Sequence, residues 1–313
     1  MGKIRVGTRG SKLALRQAAM VQEALRRVDS RIETEIVVIH TKGDKILDKP
    51  LADIGDKGVF VSELEQALFA GRIDIAVHSA KDLPMELARG LCIAAVLPRG
   101  DVRDVLVVPK EGRLPYPGQG DGRTFVVGSG SRRRQAQAVQ MWDNVVCKDI
   151  RGNVDTRLRK LKDGGYDGII LAKAGLDRLG IGLEEEDEFM FLPLPPGQFL
   201  PAACQGIIVA EAVRDSSVAA LCRQMTDEKT EQCFLVEREL LARLSADCSE
   251  SAGAWCRQEE GHLVLDAMYA ENRQRLTCKA ETEAGLEMAE RIAKSLRDAQ
   301  HASMRFHLQD ETE

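Results

Sequence analysis

Polar and apolar positions alternate along residues 3–7 (KIRVG), the pattern of a half-buried strand. From residue 11 the spacing changes. Leu13, Met20, Val21, Ala24, Leu25 and Val28 recur at helical intervals, which predicts a helix. EIVVI (35–39) predicts a second strand, and VSELEQALFAG (61–71) a helix stopped by Gly71. IDIAV (73–77) and CIAAV (92–96) predict two more strands. The rhythm then returns. DVLVV (104–108), TFVVG (124–128), NVVCKDI (144–150) and YDGIILA (166–172) read as strands, with helices over 131–142 and 153–165. Strands alternating with helices imply βαβ units around mostly parallel sheets.

Two stretches interrupt this pattern. Residues 109–122 are rich in Pro and Gly and predict an exposed loop, and LPLPPGQFLPAACQG (192–206) predicts a crossover between domains. Beyond residue 216 the character shifts to helices over 218–225 and 230–244, strands over 262–270 and 275–282, and a helix over 286–300. That order predicts a small α+β unit. No short internal repeat is visible.

The chain has 313 residues, enough for two or three domains, and carries a net charge of −5. The whole chain therefore has no general attraction for nucleic acid or anionic membrane. The charge is unevenly spread: residues 131–162 hold nine Lys/Arg against three Asp. Eight cysteines show no C-x-x-C pair and no ligand cluster has metal spacing, so no metal is implied. The start, MGKIRVGTRG, has no apolar signal core, and no apolar run reaches the roughly 18 residues of a membrane span. The expectation is a cytoplasmic protein with reduced thiols and no membrane association.

Chemistry concentrates where strands end. In open α/β sheets ligands bind outside the carboxyl ends of the strands. GTRGS (7–11), HSAKD (78–82), GSGSRRR (128–134) and RGNVDTR (151–157) all fall at such ends. Each puts small or hydroxyl residues beside cations, the first three at predicted helix starts, where free N–H groups favour anions. Any one of them is explained by an N-cap or a solvated face. Four together describe a cleft for an anion with several negative groups, for which Arg forks are suited. Asp82 is the acid among these cations, able to move a proton or steady positive charge. His78 reads as a structural hydrogen-bonder, and Cys248 as a lone thiol in a small-residue loop.

These stretches together resemble the porphobilinogen deaminase (hydroxymethylbilane synthase) family. The resemblance rests on TRGSKLAL (8–15), TKGDKILDKPLADIGDKGVFVSELEQAL (41–68), IDIAVHSAKDLP (73–84) and VGSGSRRRQAQ (127–137). It continues through IRGNVDTRLRKL (150–161), YDGIILAKAGLDRLG (166–180) and LPAACQG (200–206), and is looser beyond about Ala212. It implies a transferase of heme and other tetrapyrrole biosynthesis. The enzyme joins four porphobilinogen units head to tail into hydroxymethylbilane and releases ammonia each time. It also implies a dipyrromethane cofactor, built from substrate and held by a thioether to Cys248.

By position, Asp82 would be the catalytic carboxylate. Ser79, Lys81, Ser129, Ser131 and Gln205 would hold the cofactor with Asp82, as would Arg133, Arg134 and Arg151. Arg9, Ser11, Lys57 and Arg99 would bind substrate, with Arg151, Arg157 and Arg178. The implied fold is two periplasmic-binding-protein-like α/β domains flanking a cleft, plus a small C-terminal α+β domain. The segments are 1–100 with 201–216, then 101–200, then 217–313 carrying the cofactor loop. The implied partner is porphobilinogen, bound by a monomer without nucleic acid or membrane.

The chain departs from the family pattern at Ala246 and Asp247, where glycines are usual, at Gly130, where serine is common, and at Cys204, where glycine is usual. Cys256 is a second thiol close in sequence to Cys248. Two other readings compete. A non-catalytic anion binder shares the fold but has no need of Asp82 and Cys248 together. A nucleic-acid module would need aromatics among its basic residues, yet aromatics are 4% of the chain.

Overall fold

The computed structural model describes residues 2–40, 61–115, 123–182, 188–245, 251–269 and 275–310. It contains two five-stranded sheets and one three-stranded sheet. By contacts the chain divides into two compact units, residues 1–101 with 174–183 and 205–231, and residues 102–173 with 184–204 and 232–313.

The first unit carries strands β1 (Ile4–Thr8), β2 (Thr34–Val38), β3 (Ile75–Ser79), β4 (Leu91–Val96) and β10 (Ile208–Val213). Their order is β2-β1-β3-β10-β4. β1 runs parallel to β2 and β3, whereas β10 lies antiparallel between β3 and β4. The chain thus returns, more than a hundred residues later, to complete its first sheet.

Period-two alternation along β3 decides what covers each face. Ile75 and Val77 join Val21 and Leu25 of helix α1 (Lys12–Val28) and Cys222 of helix α6 (Ser217–Arg223). Ala76 joins Leu64, Ala67 and Leu68 of helix α2 (Ser62–Phe69) on the other face. Leu25 is fully buried, so truncating it to alanine costs about 3 kcal/mol.

The second unit repeats the arrangement. Strands β5 (Asp104–Pro109), β6 (Phe125–Gly128), β7 (Val145–Lys148), β8 (Gly168–Ala172) and β9 (Phe189–Leu194) take the order β7-β6-β8-β5-β9. Here β5 is the antiparallel strand, again second from one edge. Helices α3 (Arg132–Met141) and α4 (Val154–Lys162) follow β6 and β7; α5 (Lys173–Leu179) follows β8 in sequence, but nearly all of it belongs to the first unit. Phe125, Trp142 and Phe199 fill the core, with the Trp142 and Phe199 rings 6.5 Å apart.

The third sheet, β11 (Gly253–Glu259), β12 (His262–Met268) and β13 (Arg275–Glu281), is an antiparallel meander. Its inner face packs Ala254, Cys256, Leu263 and Leu265 against helices α7 (Glu228–Leu244) and α8 (Gly285–Asp310). Cys256, the second thiol close in sequence to Cys248, lies 1% exposed in this core. Among the described residues, no helix is long and apolar enough to cross a membrane.

Candidate active site

In the first unit, the sequence after β1 turns directly into α1. Ser11 serves as its N-cap, accepting from the Ala14 N–H at 3.3 Å, and buried Thr8 donates its hydroxyl to the Ala14 carbonyl at 3.1 Å. Arg9, between them, is partly exposed.

After β3 the chain makes a single 3-10 turn over Ala80–Asp82. Three contacts fix it. The Ala80 N–H donates to the Ile207 carbonyl at 3.0 Å. Ser79 accepts at 2.8 Å from Nε2 of Gln17, a buried residue of α1. Lys81 Nζ donates to Gln205 Oε1 at 3.2 Å. Asp82, by contrast, is exposed and makes no hydrogen bond or ion pair with any described residue.

Gln205 is fully buried and gathers several of the residues singled out in the sequence. Arg99 Nε donates to its carbonyl at 2.9 Å, while the Arg99 N–H donates to Thr230 Oγ1 at 3.1 Å. Arg178 Nη2 donates to the neighbouring Gly206 carbonyl at 2.5 Å. Gly206 has φ +88°, and a Cβ there would stand 2.7 Å from the Gly100 carbonyl oxygen, so only glycine fits. Arg99 and Arg178 border a cavity of about 280 Å³ with Arg16, Asp101 and Asp177. Burial lowers the Arg178 pKa to about 10, against the opposing pull of Asp177.

In the second unit the turn after β6 places Ser129 in the interior, its Oγ accepting from the Ser131 N–H at 3.2 Å. Ser131 is the N-cap of α3, but its own hydroxyl makes no capping bond. A Cβ at Gly130 would lie 3.2 Å from the Ile150 carbonyl oxygen, so a serine there would press on the adjacent strand end.

Arg133 and Arg134 turn inward. Arg134 forks onto Asp104 Oδ1 at 2.7 and 3.1 Å and reaches the Ile170 carbonyl at 3.0 Å. Arg133 meets Asp104 Oδ2 at 2.8 Å and donates to the Leu200 carbonyl. All three side chains are buried. Burial lowers the Arg133 pKa, and the Asp104 carboxylate works against that.

After β7, Arg151 is half-buried and its carbonyl accepts from Lys160 Nζ at 3.1 Å. Arg157 Nε donates to the Gly152 carbonyl at 2.8 Å, and Asn153 caps α4 through the Thr156 N–H at 2.9 Å. Gly152, at φ +111°, makes that turn. Lys57 and Cys248, with Ala246 and Asp247, lie outside the described residues.

Within the first unit, then, Ser79, Lys81, Arg99, Arg178 and Gln205 share one hydrogen-bonded neighbourhood. Within the second, Ser129 and Ser131 share one turn, and Arg133 and Arg134 share Asp104. Gln17 and Asp104 were not singled out in the sequence. Both carried a signal: Gln17 is a polar residue among the apolar positions of α1, and Asp104 opens an otherwise apolar strand. Cys204 has φ +59°, a backbone conformation that explains why glycine is usual at that position. Its N–H is held by the fully buried Glu237 carboxylate, whose other oxygen accepts from the Cys256 N–H at 2.7 Å.

Fold and site together define an α/β protein that collects cations and hydroxyls at the carboxyl ends of its strands, with the exposed carboxylate of Asp82 on the turn after β3. Residues 4–220 match the family model described as porphobilinogen deaminase, dipyromethane cofactor binding domain. The chain belongs to the porphobilinogen deaminase family. It is 37% identical over 304 residues to the porphobilinogen deaminase of Streptococcus sanguinis, covering 95% of this chain and 96% of that one. It is 39% identical to that of Acetivibrio thermocellus (88% and 90% covered) and 42% identical to that of Chromobacterium violaceum (86% and 85%). Among solved structures, the periplasmic VFT2 domain of Bordetella pertussis BvgS aligns with a TM-score of 0.42 at 14% identity. That alignment covers 71% of this chain and 86% of that one, and nothing further rests on it.

Proposed function

We propose that this chain condenses four porphobilinogen molecules head to tail into hydroxymethylbilane with loss of ammonia, and that Asp82 manages the charge of the reaction. One observation carries the assignment: an exposed carboxylate with no partner among the described residues, on a turn whose neighbours are all tied down. No described residue holds that carboxylate, so it is left to meet a group that enters from solvent.

Protonated, Asp82 donates to the departing amino group, which leaves as ammonia. The carboxylate that remains faces the cationic methylene-pyrrole of the substrate and lowers its energy. Each porphobilinogen carries an acetate and a propionate. Arg9, Ser11, Lys57, Arg99, Arg151, Arg157 and Arg178 are assigned to those groups.

The donor set fits a dipyrromethane: ammonium, guanidinium and hydroxyl groups for its carboxylates, and the Asp82 carboxylate for its pyrrole N–H groups. Ser79, Lys81, Ser129, Ser131, Arg151 and Gln205 are assigned to it. Arg133 and Arg134 are assigned to it as well, and two guanidiniums that share one carboxylate leave a net positive charge there. When bound, the dipyrromethane supplies the primer to which substrate is joined. Cys248 is assigned as its anchor, through a loop of the segment 217–313. In this reading a single chain is the working unit, in the cytoplasm, with its other domains at 1–100 plus 201–216 and at 101–200.

Intact mass tests the reading. The purified protein, or its apo form after incubation with porphobilinogen, should exceed the sequence mass by two pyrrole units, and Cys248→Ser should not. Asp82→Asn, supplied as holoprotein, should keep that mass and lose at least about 100-fold in turnover. Turnover of Asp82→Asn near the parental rate would remove Asp82 from its role.

A further inference from the structure

We propose that the buried pair Glu211–His78 is a positioning device for the turn that presents Asp82. The proposal rests on the assignment of Asp82 above and goes beyond it. His78 and Ser79 are the last two residues of β3, and their side chains leave opposite faces of the sheet. Ser79 is tied on the α1 face by Gln17 at 2.8 Å. His78 is tied on the α2 face by Glu211, with Nε2 and Oε2 2.9 Å apart. The strand end is therefore gripped from both sides immediately before the turn begins. Glu211 comes from β10, which also bonds the β3 backbone beside it.

Three features separate this pair from ordinary core packing. Glu211 is fully buried, yet its Oε1 has no hydrogen-bond partner among the described residues. A buried carboxylate with an unsatisfied oxygen is costly, and an apolar pair of similar volume would serve stability better. Next, the β10–β4 pairing slips between Ala210 and Glu211: Ala210 faces Ala95, but Glu211 faces Ile93. Such a bulge re-aims a side chain, and bulges gather beside active sites. Finally, α2 adds a second carboxylate, Glu65, which accepts from the Ala88 N–H at 3.0 Å. Burial raises its pKa, and Glu211 adds to that effect. Two carboxylates and one imidazole thus lie within electrostatic reach of one another behind the strand. Cys92 of β4 also feels the Glu211 charge, and Arg214 and Asp215, which follow β10, act on Cys92 in turn.

The test compares Glu211→Gln with the double apolar variant Glu211→Met/His78→Leu, both as holoprotein with the cofactor mass verified. Misplacement of a reacting group by a fraction of an ångström to one ångström costs about ten- to a hundredfold in rate. Glu211→Gln should therefore lose at least about tenfold in kcat with KM within about twofold. The double variant should match or exceed the parent in Tm while kcat stays low. The proposal fails if kcat of Glu211→Gln is within about twofold of the parent, if the loss falls on KM alone, or if the double variant recovers kcat together with Tm. Where Glu211→Gln does not fold, the double variant decides alone. Asp82→Asn is run in parallel. An active Asp82→Asn overturns the Asp82 assignment, and the kcat of the Glu211 variants still reports on the pair.

Discussion

The arginine run SRRR looks uniform in the sequence, but the structure divides it. Arg132 is exposed, whereas Arg133 and Arg134 are consumed by Asp104 in the interior. Helical periodicity explains the division, since inward and outward positions alternate within one turn, but only the position of Asp104 shows that the inward arginines have a counter-ion. The same applies to Ser11, whose oxygen caps a helix, as hydroxyls at helix starts usually do. His78 behaves as its place after an apolar strand suggested, held by a hydrogen bond. Asp104→Asn should be among the most damaging single changes in the second unit. It leaves two buried guanidiniums without a charge partner, a loss of about 3–5 kcal/mol by the measure of broken buried pairs. Urea unfolding monitored by Trp142 reads this directly. A shift under about 1 kcal/mol would mean that the arginines turn to solvent at little cost.

At the scale of elements, strongly patterned segments were legible and fully buried or short ones were not. α1 and α4 announce themselves through apolar spacing and caps. β10 does not: IVAEAV is buried on both faces because the strand lies inside the sheet, and Glu211 interrupts its apolar run, so no alternation marks it. β9 contains Pro193, which argues against a central strand and suits the edge position that β9 occupies. β11 is short of apolar residues and follows a small-residue stretch, which hides its alternation: Ala254 and Cys256 face inward while Trp255 and Arg257 face outward. On that outward face Asp266 is paired with Arg257 at 2.6 Å, Arg275 at 3.3 Å and the Thr277 hydroxyl. Burial works against its ionisation, but these partners outweigh burial and hold its pKa below the ordinary value. A carboxylate with a depressed folded pKa stabilises above its unfolded pKa, near 4, and that contribution fades as pH falls through the folded value. Asp266→Asn should therefore cost about 2 kcal/mol at pH 7, with the gap from the parent closing from about pH 5 downward. A gap unchanged down to about pH 2 would assign the effect to packing rather than charge.

At the scale of the molecule, the repeat that no sequence comparison within the chain revealed is one of topology. Both large sheets place an antiparallel strand second from one edge, β10 in one and β5 in the other. Side-chain patterns do not encode strand order, so the duplication is invisible until the sheets are built. The two sheets also share the placement of cations at strand ends, within a chain whose net charge is −5. That combination has a measurable consequence. At long range the net charge repels an anionic substrate, and in the proposed reading Lys81, Arg99 and Arg151 attract it at short range. Salt screens exposed charges over about 10 Å at 0.1 M and about 3 Å at 1 M, while tightly held contacts are screened far less. If substrate carboxylates are recognised by partly exposed guanidiniums, KM for porphobilinogen should rise about fivefold between roughly 0.05 and 0.5 M salt. In the proposed reading Asp82 acts at bonding distance, where screening on that scale has little effect. Hence kcat should change by less than about twofold over the same range. A falling kcat at constant KM would place the salt-sensitive charges at the reacting centre instead, and would shift the binding role from the strand-end cations to neutral contacts.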